Sequence, residues 1–160
     1  MTQVVIDANV LAHCGNPAEM RCEHSLRLIN LLLSGTQDLC VDPGFNLIEA
    51  RNRSRIGSEY LNHLTFGSPG FSFVAHLAQS GRVKPIKPSN DSNVSRKINQ
   101  RLTDKTDRVY LKVAVVTIDK LFVSHDFTDL PTDKRTYFFA EIGVQIVDAD
   151  CCAQSMQAAS

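Results

Sequence analysis

The feature that most constrains this chain is its first apolar run. Val4, Val5 and Ile6 are consecutive β-branched residues, and the run stops at Asp7. A strand with one wet face alternates apolar and polar residues; a run without alternation is covered on both faces, as in the interior of a parallel sheet. Asp7 then stands at the carboxyl end of a buried strand. Similar short runs recur at Asp38–Val41, Arg82–Ile86, Leu121–Val123 and Val144–Val147. Between them lie segments of helical period. Cys22, Leu26, Ile29 and Leu33 share one face over residues 18–33, ending near Gly35. Asp42-Pro43 offers an N-cap and a first-turn proline to a helix carrying Phe45, Ile48, Glu49 and Ile56. Residues 58–66 and 70–80 read as helices broken by Gly67-Ser68-Pro69-Gly70, and residues 94–101 as a weaker one. Tyr110, Val113, Ala114 and Thr117 share a face after Asp107, and residues 133–142 form a last helix. Strand and helix in alternation predict a three-layer α/β/α domain with a central, mostly parallel sheet of four to five strands.

The length of 160 residues, 43% of them hydrophobic, suits one domain with its own core. We assign it residues 1–150 and expect the small, polar tail 151–160 to fray. No apolar stretch approaches the roughly eighteen residues of a membrane span, and no secretory leader is evident, so a cytoplasmic protein is expected. Five cysteines, an odd number without a CxxC pair, argue for reduced thiols rather than a disulfide framework or a zinc site. Net charge is zero, but its distribution is uneven. Residues 51–112 hold twelve Lys and Arg against four acids, a local excess of +8 balanced by −8 elsewhere. A basic middle beside acidic ends suits a phosphate backbone held against a carboxylate site.

Four acids are candidates for that site: Asp7, Glu49, Asp107 and Asp126. In an open α/β sheet, ligands collect beyond the carboxyl ends of the strands, where Asp7 and Asp126 both fall. Clustered carboxylates repel one another unless a cation neutralises them, and an all-oxygen set favours Mg²⁺ or Mn²⁺ over Zn²⁺. Each acid also has a plainer reading. Glu49 can pair with Arg53 at i+4, Asp107 can sit in a helical first turn, and Asp126 can be a turn residue. Asp104 competes with Asp107, and Asp129 is a further candidate ligand.

Together these segments resemble the PIN-domain nuclease superfamily. Val5-Ile6-Asp7-Ala8-Asn9-Val10-Leu11 is similar to the family's opening strand and its Asp-x-Asn. Glu49, the helix opened by Asp107 and the strand ending in Ser124-His125-Asp126 follow in the family's order over nearly the whole chain. The resemblance implies a divalent-metal nuclease, more often an endoribonuclease than a deoxyribonuclease, with one or two Mg²⁺ or Mn²⁺ ions per site. By position Asp7, Glu49, Asp107 and Asp126 would be the ligands, and Asn9 and Ser124 would orient them or a water. It implies in-line attack on a phosphodiester, leaving a 5′-phosphate and a 3′-hydroxyl. Arg51, Arg53, Arg55, Lys84, Arg96, Lys97 and Arg101 are candidates for the nucleic-acid backbone. It also implies a toxin role with an antitoxin partner, and a homodimer. A PIN-like scaffold that binds RNA or a protein without cleaving is the alternative; metal dependence separates the two. A haloacid-dehalogenase phosphatase also opens with a strand-end Asp, but needs a second acid where this chain has Asn9.

Overall fold

The computed structural model describes residues 1–158. Five strands form one parallel sheet: β1 (Gln3–Ile6), β2 (Asp38–Val41), β3 (Val83–Pro85), β4 (Leu121–Val123) and β5 (Gln145–Val147), in the order β3-β2-β1-β4-β5. Register is set by Val4 opposite Leu39 and by Val5 and Ile6 opposite Phe122 and Val123. Eight helices flank the sheet: α1 (Ala8–His13), α2 (Cys22–Ser34), α3 (Arg55–His63), α4 (Pro69–Gln79), α5 (Ser92–Arg101), α6 (Lys105–Ala114), α7 (Thr132–Ile142) and α8 (Ala149–Ala158). The first two crossovers run from β1 outward to β3, and the later ones start again on the other side of β1. Right-handed crossovers therefore place their helices on opposite faces. α2 packs with α4 and α8, while α6 lies over β1, β2 and β4 beside α3 and α5. Val4, Val5, Ile6 and Phe122 are fully buried between these layers, as the unbroken apolar runs require. Among the described residues no helix is long and apolar enough to cross a membrane.

Three expectations are corrected. Residues 43–54 do not form a helix: Gly44 turns the chain at a φ of +86°, and only one 3₁₀ turn, Glu49–Arg51, follows. A side chain at 44 would meet the Cβ of Arg53, so Gly is required on both counts. The capping signal at Asp42 was sound chemistry aimed at a later helix. Its carboxylate accepts from the backbone N–H of Arg55 (2.7 Å) and Ile56 (2.9 Å) and from the hydroxyl of Ser54, the N-cap of α3, so it supplements that cap from across the loop. Second, Asp7 opens a short helix, α1, and the next helix starts at Cys22 rather than at residue 18. Third, the tail expected to fray forms α8, with Cys152 and Ala153 buried against its neighbours. Small side chains allow α8 to approach α2 closely; the last two positions of that tail, 159 and 160, lie outside the described residues. The five cysteines are all free thiols.

Candidate metal centre

The sheet changes direction beside β1, because the connection from β1 runs to β2 and that from β4 runs to β5. The carboxyl ends of β1 and β4 therefore border the switch-point crevice. Asp7 occupies the end of β1. Its backbone N–H donates to the Val123 carbonyl (2.9 Å), and its side chain N-caps α1. Asp7 is only 8% exposed. Its Oδ2 accepts from the Asn9 amide (2.9 Å) and the Ser124 hydroxyl (2.8 Å), while Oδ1 has only a long bond of 3.3 Å from the Asn9 N–H. Two buried tyrosines brace this point: Tyr60 donates to the Ile6 carbonyl (2.7 Å), and Tyr110 accepts from the Ala8 N–H (3.3 Å). Burial raises the Asp7 carboxyl from 3.8 to about 6; the Ser124 and Asn9 bonds oppose the rise, and Asp126 and Glu59 add to it.

Asp107 projects from the first turn of α6 toward the same crevice. Burial raises its carboxyl to about 7, with further contributions from Asp7, Asp104, Asp126 and Asp129. Asp104 is the exposed N-cap of α6, accepting from the Thr106 (2.7 Å) and Asp107 (3.1 Å) N–H groups. The two competing acids therefore have separate places. Oxygens of Asp107, Asp126 and Asp129 come within 4.8 Å of one another. Neighbouring ligands of an octahedral Mg²⁺ stand about 3 Å apart, so these three carboxylates would have to close further to hold a small hard cation; Asp7 is not one of the three. Ser124 ties Asp126 to Asp7: its hydroxyl oxygen accepts from the Asp126 N–H (3.0 Å) while its proton goes to Asp7. Asn9 adds a second tie, accepting from the His125 N–H (3.2 Å).

Glu49 is not brought inward. It lies exposed in the 3₁₀ turn, on no helical face, because the helix that would have aimed it does not form. The glutamate whose charge acts on Asp7 and Tyr110 is Glu59 of α3, which also pairs with His63 (3.1 Å). Glu59 borders a recess of about 400 Å³ with Arg53, Arg55, Ser58 and Thr106. Of the seven candidate cations, Arg53 and Arg55 line this recess with Glu59. Arg51 is exposed beside them in sequence. Lys84 bonds the Gly81 carbonyl (2.9 Å), Arg96 bonds Asn93 (2.7 Å), Lys97 pairs with Glu141 (2.9 Å), and Arg101 stacks on Tyr137 (4.6 Å). Lys97 is already neutralised by its partner.

Residues missed in the sequence surround the turn after β4. His125 stacks on His13, with Nδ1 atoms 2.8 Å apart, and its Nε2 accepts from the Ala149 N–H (3.2 Å). An accepting Nε2 leaves the proton on Nδ1, so neutral His125 donates to His13. Burial, then the neighbouring His13 and Arg21, lower His125 to about 4, which keeps it in that form at neutral pH. Arg21 and Arg135 approach the exposed Phe127 ring at 4.9 and 4.2 Å. A half-buried arginine far along the chain carries no periodic signal that would have marked it. No family model matches this chain, and no curated protein or solved structure matches it.

Proposed function

We propose that this protein is a divalent-metal-dependent nuclease, acting on RNA in preference to DNA, with Asp7, Asp107 and Asp126 as metal ligands and Asp129 or Glu59 completing the set. The observation that carries this reading is the grouping of Asp107, Asp126 and Asp129 oxygens within 4.8 Å of one another, with Asp126 tied through Ser124 to the buried Asp7 at the end of β1. Carboxylates held where burial and mutual repulsion disfavour their charge cost stability unless a cation compensates. The oxygen-only donor set supports Mg²⁺ or Mn²⁺. Bound there, the ion would supply an activated water and charge for the departing oxyanion. Asp7 is kept in a single orientation by Ser124 and Asn9, and Arg53 and Arg55 offer positive charge on the Glu59 side for the phosphate backbone. Roles as a toxin with an antitoxin partner, and as a homodimer, belong to the same proposal by resemblance.

The test is cleavage of a mixed RNA and single-stranded DNA panel with Mn²⁺ or Mg²⁺, beside EDTA and an Asp7→Asn/Asp126→Asn double variant. Metal-dependent cleavage lost in a folded double variant supports the reading. Equal inactivity of both proteins, with equal RNA binding, overturns it in favour of a non-cleaving scaffold.

A further inference from the structure

Arg135 stands in an unfavourable place for a cation. It lies in the first turn of α7, where the helix dipole favours negative charge such as that of Asp133. Its guanidinium is half-buried and bonds carbonyl oxygens rather than a carboxylate. Nε donates to the Leu130 carbonyl (2.7 Å), and Nη2 donates to those of Ser124 (3.2 Å) and Asp126 (3.0 Å). The same group lies 4.2 Å from the centre of the Phe127 ring. Burial lowers its affinity for its proton, and Asp148 and Asp126 restore part of it. One planar fork therefore grips both ends of the segment Ser124–Leu130, which carries Asp126 and Asp129. Arg21 also contacts the segment, bonding the His125 carbonyl (3.5 Å) and lying over Phe127 at 4.9 Å.

We infer that Arg135 is a positioning residue for metal binding: its guanidinium fork fixes the Ser124–Leu130 turn so that the Asp126 and Asp129 carboxylates stay directed at Asp107. The inference rests on the metal-site reading above and goes beyond it by assigning a residue that touches neither metal nor substrate. The Asp126 Oδ1 itself accepts from the Thr128 (2.9 Å) and Asp129 (2.8 Å) N–H groups, which shapes the turn from within; the Arg135 fork adds an anchor of both its ends to α7 against the mutual repulsion of the acids. Lysine is no substitute, because a single ammonium cannot reproduce the planar fork to three carbonyls. Outer groups that orient metal ligands are typically worth about ten- to a hundredfold in metal affinity.

The experiment is Mn²⁺ titration of the full chain, followed by electron paramagnetic resonance or calorimetry, for wild type, Arg135→Lys, Arg21→Ala and Lys134→Ala. Lys134 bonds the neighbouring Asp129 carbonyl from the surface (2.9 Å) and serves as a control. We expect Arg135→Lys to weaken Mn²⁺ binding about tenfold or more, with activity recovered at high Mn²⁺. Arg21→Ala should weaken it by less, and Lys134→Ala by no more than about twofold. Melting in EDTA separates a lost fold from a lost grip; if Arg135→Lys does not fold, Arg21→Ala carries the test. Wild-type Mn²⁺ affinity in the folded variants overturns the inference alone. Absence of Mn²⁺ binding by wild type overturns it together with the metal-site reading.

Discussion

The two ends of the sheet hold aspartates in opposite states. At the amino end, Asp119 accepts from the Thr2 N–H (2.7 Å), the Gln3 N–H (2.8 Å) and the Thr2 hydroxyl (3.0 Å). Its slight burial is outweighed by these bonds, which hold its carboxyl below the usual range. At the carboxyl end, Asp7 has donors as well, but burial and neighbouring acids win, and it rises to about 6. One aspartate has its charge answered by the fold. The other caps α1 yet is held where the fold answers its charge only in part, which under the proposed metal-site reading is the place for a cation.

Neutralising each acid in turn separates the two states. Asp7→Asn should lower metal-dependent cleavage by at least about a hundredfold, since a direct ligand is worth no less than the groups that orient it. Rates at saturating RNA would show this, and an active Asp7→Asn protein would remove Asp7 from the site. The same change should leave the metal-free protein as stable as wild type or more so at pH 8. The raised carboxyl of Asp7 favours folding most below its unfolded value of about 4, and that contribution is lost as pH rises through about 6. The difference is on the order of 2–3 kcal/mol. Urea unfolding in EDTA at pH 4 and pH 8 should show a larger loss in wild type than in Asp7→Asn, since the raised Asp107 titrates through the same window in both, and Mn²⁺ should restore stability to wild type at the higher pH.

Asp119→Ala sharpens the contrast from the other end. It removes three accepted bonds and should cost about 1 kcal/mol of stability, leaving Mn²⁺ affinity unchanged; a change in affinity would mean that the two ends are coupled. Because the carboxyl of Asp119 is depressed, its contribution is present at neutral pH and disappears as the solution is acidified through its folded value. The smallest effects separate the glutamates. Glu59→Gln should weaken Mn²⁺ binding several-fold, and Glu49→Gln by less than about twofold, as expected of an exposed surface charge. The reverse order, measured by titration, would return Glu49 to the site.

The same residues show what the sequence could disclose. Parallel strands were legible because burial on both faces leaves unbroken runs such as Val4-Val5-Ile6, and the acids at their ends followed from that. The second acid was misplaced because its phase depended on where a helix begins. Asp42 reads locally as the cap of the next residues, yet its carboxylate reaches across a Gly44 turn to Arg55 and Ile56. Local pattern reports cap chemistry, not the length of loop it closes. Arg135 and the stacked His13–His125 pair were invisible for another reason: their partners are backbone atoms or residues more than a hundred positions away.

The close packing of α8 on α2 bears on where this protein can be cut. Residues 149–158 are short, small and polar enough to be trimmed as dispensable when a minimal fragment is prepared. Yet the Ala149 N–H occupies the Nε2 of His125, one residue before Asp126, and Cys152 and Ala153 are part of the packed interior. A fragment ending at Val147 would leave a solvent-facing apolar stripe on α2 and free the imidazole to change tautomer and orientation. The segment that looks most expendable therefore folds as one unit with the turn that carries Asp126: the first residue of α8 supports His125, while Cys152, Ser155 and Met156 line a recess at the other end of the sheet with Met1 and Asp119.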